Sequence, residues 1–366
     1  MVIGTLIDIV AIQMPKWRSQ EMDSLGINSV FENVPEEEKP LLLGFKTGIA
    51  SPEPGLIVQI LVSFSVYTNG SKLLSTTQSH NNLACLHGIR FFSMTWVVLG
   101  HTFITPLGAA SNFYSYYMEV QDRWSFLAIS NAVFSVDTFF VLSGLLVAFL
   151  SLKEMKRCAG RLNWAIFYLH RFWRLTPPYM LILLLYVCLG PYWGSGPMWP
   201  DKQPDRDNCK MSWWTNLLYI NNFVDLDNSC MGFTWYLAND MQFYILSPLI
   251  FVPFYYSVKY GMIAYGIFLT ATVVTPACLT VADHLPASLF TAGTQGVVEK
   301  YQHELYIKPY TRMGPYIVGM VTGYLLYHYN CRIQINKILN LFGWIVATAV
   351  GLAVVYGLYD DFEGHI

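Results

Sequence analysis

Seven apolar runs of bilayer length constrain what this chain can become. They lie near residues 89–108, 126–150, 164–189, 233–256, 261–282, 312–329 and 338–358. A helix rises about 1.5 Å per residue, so about 20 apolar residues cross a hydrocarbon core roughly 30 Å thick. Inside that core no water satisfies backbone N–H and C=O groups, which favours helices. Charged residues make up 13% of the chain and hydrophobic ones 54%. A soluble domain carries about a quarter charged residues. The expected fold is all-α, a polytopic helical transmembrane protein with about seven spans. A net charge of -2 offers no basic face, so nucleic acid is excluded as a partner. The seven cysteines include no CxxC pair, and no metal motif appears.

The first 14 residues are apolar, too short to span, and carry Asp8. They read as the remnant of a preceding span. Residues 15–84 are mostly polar and hold the acidic run Pro35 to Pro40. Within them, Leu56 to Val66 predicts an interfacial helix, and Asn69-Gly70-Ser71 is a glycosylation sequon. The third span contains Pro177-Pro178, which predicts a kink or a restart of the helix.

Lys/Arg counting orients the spans. The 151–163 connection carries Lys153, Lys156, Arg157 and Arg161 against Glu154, and the 330–337 connection carries Arg332 and Lys337. These loops are assigned to the cytosol. The long 190–232 loop and the acidic end near Asp360 then lie outside, and residues 15–84 lie in the cytosol. The outside loop holds Cys209 and Cys230, which an oxidising compartment lets pair as a disulfide.

Charges inside apolar runs are the candidate functional residues, because each costs about 2.5–3.5 kcal/mol at a helix centre. Arg90 and His101 share the first span, about 16 Å apart along it. This places Arg90 at the cytosolic interface and His101 deeper. A neutral imidazole there can take a proton from an acceptor hydroxyl or amine. Arg171 and Arg174 share one face of the third span. With Arg90 they form a three-arginine cluster suited to phosphates, either those of a coenzyme A thioester or lipid headgroups. Asp137 suits a structural ion pair, a cap or a direct role. Asp240 can orient a histidine or pair with an arginine, and together with Gln242 and Tyr244 it also suits packing hydrogen bonds. Ser143 lacks the GxSxG context of a nucleophile.

Four blocks then resemble the membrane acyltransferase 3 family. Arg90 and His101 match its Arg/Lys-x10-His signature. Ser135 to Gly144 is similar to its VDxFFxxSG block, Arg171-Phe172-Trp173-Arg174 to its RxxR, and Trp235 to Tyr244 to its W-x-L-x-x-E-x-Q-F-Y block. Leu86 to Phe91, Ser65 to Gly70 and Tyr236 to Met241 resemble the animal nose resistant to fluoxetine-like group within it. Asp240 and Met241 stand where many bacterial relatives carry two glutamates.

The resemblance implies that residues 85–366 are an acyltransferase 3-like transmembrane domain with its C-terminal spans missing. It implies a cytosolic acyl-CoA donor held by Arg90, Arg171 and Arg174. His101 and Asp240 would be catalytic, with Asp137, Gln242 and Tyr244 supporting them. The acceptor would be a lipid, sugar or small molecule at the outer or lumenal side, and no bound cofactor is called for. Membrane lipids are the other expected partner, in the plasma membrane or an endomembrane. The alternative is uptake of lipids or small hydrophobic drugs on the same scaffold without turnover.

Overall fold

The computed structural model describes residues 1–24, 55–76, 83–104, 111–112, 115–116, 119–120, 123–196, 204–286, 295–357 and 359. The acidic runs near Glu37 and Asp360 and the expected end of the first span at 105–108 lie outside them. Every regular element among the described residues is helical. The chain divides into two compact units, Met1–Asn82 and Leu83–Ile366.

In the first unit, α1 (Val2–Ile7) runs through a π-helical turn into α2 (Met14–Ser24), followed by α3 (Leu56–Val62) and α4 (Val66–Leu74). Asp8, the charge in the first apolar run, is fully buried. Ser65 Oγ and Thr68 Oγ1 each donate to its carboxylate at 2.5 Å, and Gln13 Nε2 donates at 3.0 Å. A buried carboxylate needs such donors, so Asp8 ties α1 to the start of α4. Gly4 permits the crossing of α1 over α3, since a Cβ there would lie 2.2 Å from the Leu61 carbonyl oxygen. Residues 1–14 and the 56–74 segment therefore pack as one body. The sequon residue Asn69 is exposed, and its Nδ2 donates to the Ser63 carbonyl at 2.9 Å.

The second unit contains α5 (Cys85–Ile104), α6 (Phe134–Arg157), α7 (Trp164–Leu189), α8 (Pro204–Leu217), α9 (Trp235–Leu246), α10 (Pro248–Tyr256), α11 (Val258–Ala282), α12 (Gln295–Tyr301), α13 (Pro309–His328) and α14 (Lys337–Tyr356). Four stretches are helices long and apolar enough to cross a membrane: 124–157, which ends in α6, 164–192 around α7, α11 and α14. The other three expected spans fold as helices of a different character. α5 and α13 have 20 residues each but carry Arg90 with two histidines and Arg312 with several hydroxyls. The 233–256 run breaks at Ser247-Pro248 into pieces of 12 and 9 residues, because proline lacks the N–H that would continue the ladder. α7 runs through Pro177 and Pro178 as one helix of 26 residues.

α6 is the axis of this unit. It meets α13 along a seam of glycines. A Cβ on Gly319 would lie 2.0 Å from the Val141 carbonyl oxygen, on Gly323 2.3 Å from that of Leu145, and on Gly144 2.1 Å from that of Tyr316. Small residues on both helices let the backbones touch, the usual basis of helix association in lipid. Around the seam Phe140, Leu152, Phe243, Ile250, Tyr316 and Ile317 are fully buried. α5 lies antiparallel to α6. Leu86 packs on Leu142 and Leu145, Ser93 receives a 2.5 Å hydrogen bond from Thr138, and Trp96 Nε1 donates to the Ala128 carbonyl at 2.6 Å.

A disulfide joins Cys209 of α8 to Cys230. The connection that follows α8 is anchored to the bundle by amides. Asn222 Nδ2 donates to Asn239 Oδ1 at 2.6 Å, Gln242 Nε2 to the Tyr219 carbonyl at 2.8 Å, and Asn239 Nδ2 to the Ile307 carbonyl at 3.1 Å. Lys308, buried at the head of α13, donates to the Asn222 carbonyl at 3.0 Å and lies over the Phe223 ring. Burial holds its ammonium below the usual lysine range, with Glu304 pulling the other way.

Candidate functional site

Where α5, α6, α7 and α9 converge they leave a cavity of about 650 Å³. Arg90 enters it from α5, Ser143 from α6, Arg171 and Arg174 from α7, and Tyr236 and Tyr244 from α9. The antiparallel pairing of α5 on α6 sets the levels. Leu86 meets Leu142 and Leu145, and Ser93 meets Thr138, so Arg90 falls close to the level of Ser143. The three arginines named from the sequence thus line one space. Ser143 lies eleven residues, about 16 Å, along α6 from Glu154 at the loop end.

Arg171 and Asp240 form a direct ion pair, with side chains 19% and 9% exposed. The second carboxylate oxygen of Asp240 accepts from Ser143 Oγ at 2.6 Å. The guanidinium lies over the Tyr244 ring at 4.5 Å. Tyr244 is in turn held by a 3.0 Å hydrogen bond to the Phe167 carbonyl and by stacking on the Phe167 ring at 4.4 Å. Arg171 Nε is buried with no hydrogen-bond partner among the described residues, so the guanidinium retains a free donor. Both Asp240 oxygens are engaged away from His101. Of the two roles open to Asp240, pairing with an arginine is the one seen, and the reason is charge. A buried carboxylate gains from a neighbouring cation, and Arg171 on the adjacent helix supplies one.

His101 lies at the other end of α5. Gly100 beside it abuts Ala132, where a Cβ would come within 2.6 Å of the Ala132 Cβ. The imidazole is exposed and does not line the cavity. Its Nδ1 lies 2.9 Å from the Val97 carbonyl oxygen. A carbonyl only accepts, so Nδ1 is the donor in this contact.

Asp137 is paired with Arg312 of α13, Nη1 to Oδ2 at 3.2 Å. Arg312 Nε also donates to the Tyr306 carbonyl at 2.9 Å, and its guanidinium lies over the Tyr306 ring at 4.4 Å. This second buried pair fastens α6 to α13 and stands apart from the cavity lining. Gln242 serves the α8–α9 connection through Tyr219 and Asn222, as described for the fold. Arg312 and the cavity residues Arg161, His170 and Glu154 were not singled out as site residues in the sequence. The available signal for Arg312 was a cation at the edge of a span that had to face one of two buried acids.

Cations dominate the lining. Arg90, Arg161, Arg171 and Arg174 face Glu154 as the only acid among the described residues of the wall. Such a space suits an anionic ligand with an apolar portion, since Leu142, Leu146, Val147 and Leu150 supply one side.

Comparisons with known proteins bear on the family of the chain. A model of the acyltransferase domain, Acyl_transf_3, matches residues 83–363. The chain is 34% identical over 329 residues to nose resistant to fluoxetine protein 6 of Caenorhabditis elegans, covering 82% of this chain and 39% of that protein. It is 26% identical over 270 residues to regulator of hypoxia-inducible factor 1 of the same organism, covering 68% of this chain and 52% of that protein. The chain therefore spans about half, or less, of the length of these relatives. No solved structure matches.

Proposed function

Since the chain belongs to the acyltransferase 3 family of membrane proteins, we propose that it transfers an acyl group from acyl-CoA to an acceptor across a bundle of seven spans. In this reading α5, the broken α9–α10 rod and α13 cross the membrane beside the four long apolar helices. The lysine- and arginine-bearing loop 151–163 faces the cytosol. The observation that carries the reading is the convergence of Arg90, Arg171 and Arg174 on one cavity. Guanidinium groups recognise phosphate and carbonyl oxygen with directed hydrogen bonds.

The donor enters from the loop end, and its arm points along α5 towards His101. That helix separates Arg90 from His101 by eleven residues, about 16 Å. His101 Nε2 takes the proton of the acceptor hydroxyl, and the oxygen attacks the thioester carbonyl. The C–S bond breaks, and the departing thiolate recovers the proton from the imidazolium. Asp240 acts by holding Arg171 in the wall, and Ser143 holds Asp240. The acceptor is a lipid, a sugar or a small molecule reached from the opposite side.

One observation favours a second reading. His101 does not line the cavity, which suits a protein that binds and passes lipids or hydrophobic drugs without turnover. Donor binding separates the two. The full chain in nanodiscs is titrated with CoA, and Arg171→Ala with Arg174→Ala is expected to weaken binding at least tenfold, the loss of charge-assisted hydrogen bonds. Unchanged CoA affinity in the double variant removes the donor assignment.

A further inference from the structure

The cavity carries cations at two depths. Arg90, Arg171 and Arg174 stand near the level of Ser143, while Arg161 stands at the loop end with Glu154 and Cys158. About 16 Å of α6 separates Glu154 from Ser143. The wall between the two levels is mainly apolar, with Leu146, Val147 and Leu150 of α6 and Ile166 of α7 beside Ser151 and His170. Glu154 accepts a 2.9 Å hydrogen bond from Arg157, so the acid at the loop end is already engaged. Arg161 has no ion-pair partner among the described residues. The end of α6 also carries Lys153 and Lys156, outside the cavity lining.

A slot with a cationic mouth, an apolar middle and a cationic floor is matched to a ligand with a charged head and an uncharged arm. We propose that Arg161 forms a separate phosphate subsite, which takes the nucleotide phosphates of the donor. The inference rests on the acyl-CoA reading. The arm then runs past Leu146 and Leu150, and the deep arginines meet its carbonyl oxygens, with Arg171 Nε among the available donors. Arg161 is exposed on its loop, so replacing it leaves the core intact.

The two levels make different predictions. In neutral-lipid nanodiscs, Arg161→Ala weakens CoA binding about tenfold and leaves pantetheine binding unchanged. Arg161→Glu weakens CoA further. Arg171→Ala with Arg174→Ala weakens both ligands. Wild-type affinity for CoA in Arg161→Ala, or equal losses for CoA and pantetheine, overturns the subsite while the donor reading stands. Failure of the wild-type chain to bind CoA overturns both. Phosphatidate doped into the nanodiscs tests a lipid headgroup as the source of the phosphate. If it displaces CoA from the wild type but not from Arg161→Ala, the mouth belongs to the lipid and the proposal fails.

Discussion

Replacing Asp240 with alanine strands a buried guanidinium. Arg171 is 19% exposed in its side chain and Asp240 is 9% exposed. Removing one partner of a buried pair costs about 3–5 kcal/mol, because the remaining charge stays desolvated. The Ser143 hydroxyl also loses its acceptor, worth about 1 kcal/mol. Arg171→Met alone strands the carboxylate at a similar cost. The double variant removes both charges, so its loss should fall well below the sum of the single losses. A coupling energy of about 2 kcal/mol or more is expected, as found for contacting residues. The assay is unfolding of the purified chain in mixed micelles with increasing denaturing detergent. Free energies that add within about 0.5 kcal/mol would mean the two side chains are independent, and the ion pair would be wrong. A second readout separates positioning from base catalysis. With Asp240 gone nothing holds Arg171 in the wall, so CoA affinity should fall along with stability, whereas loss of a base alone would leave affinity unchanged.

Other expectations follow from single contacts. Gly319→Leu forces a side chain into the Val141 carbonyl and should lose at least 1–3 kcal/mol, whereas Gly266→Ala, with nothing within 4 Å, should be neutral in the same unfolding assay. Equal effects would contradict the glycine seam. Lys308 supplies a pH signature. Burial lowers its pKa, so the charged form is penalised in the fold, fully below the lowered value and not at all above the ordinary 10.5. Wild-type stability should therefore gain on Lys308→Met as pH rises through that alkaline window, and a flat difference would contradict the burial. A membrane-impermeant maleimide applied from outside should miss Cys209 and Cys230 until reductant is added. Labelling of Cys158 from outside would reverse the orientation.

The helical, membrane-crossing character was legible because apolar length is a local property. So was the three-arginine cluster, since Arg171 and Arg174 share a face by spacing alone. Depth was not legible. Lys/Arg counting assigns a side to each loop but says nothing of how far Arg90 and Arg171 sink, and both stand near Ser143. Partner choice was not legible either. Asp240 and Arg171 are 69 residues apart, and Asp137 and Arg312 are 175 apart. Periodicity within one helix carries no information on which neighbouring helix supplies the counter-charge. The break at Ser247-Pro248 was visible as a proline, yet hydropathy read across it as a single span.

If the chain acts as proposed, His101 is the base that lets the acceptor take its acyl group directly from acyl-CoA. The direct measurement is transfer of labelled acetyl from acetyl-CoA to lipid or added acceptor by the full chain in nanodiscs, compared with His101→Ala. Loss of the general base should lower the rate about 10²–10⁴-fold with CoA affinity unchanged. Equal transfer by both proteins, or none by the wild type while CoA binds, would contradict it.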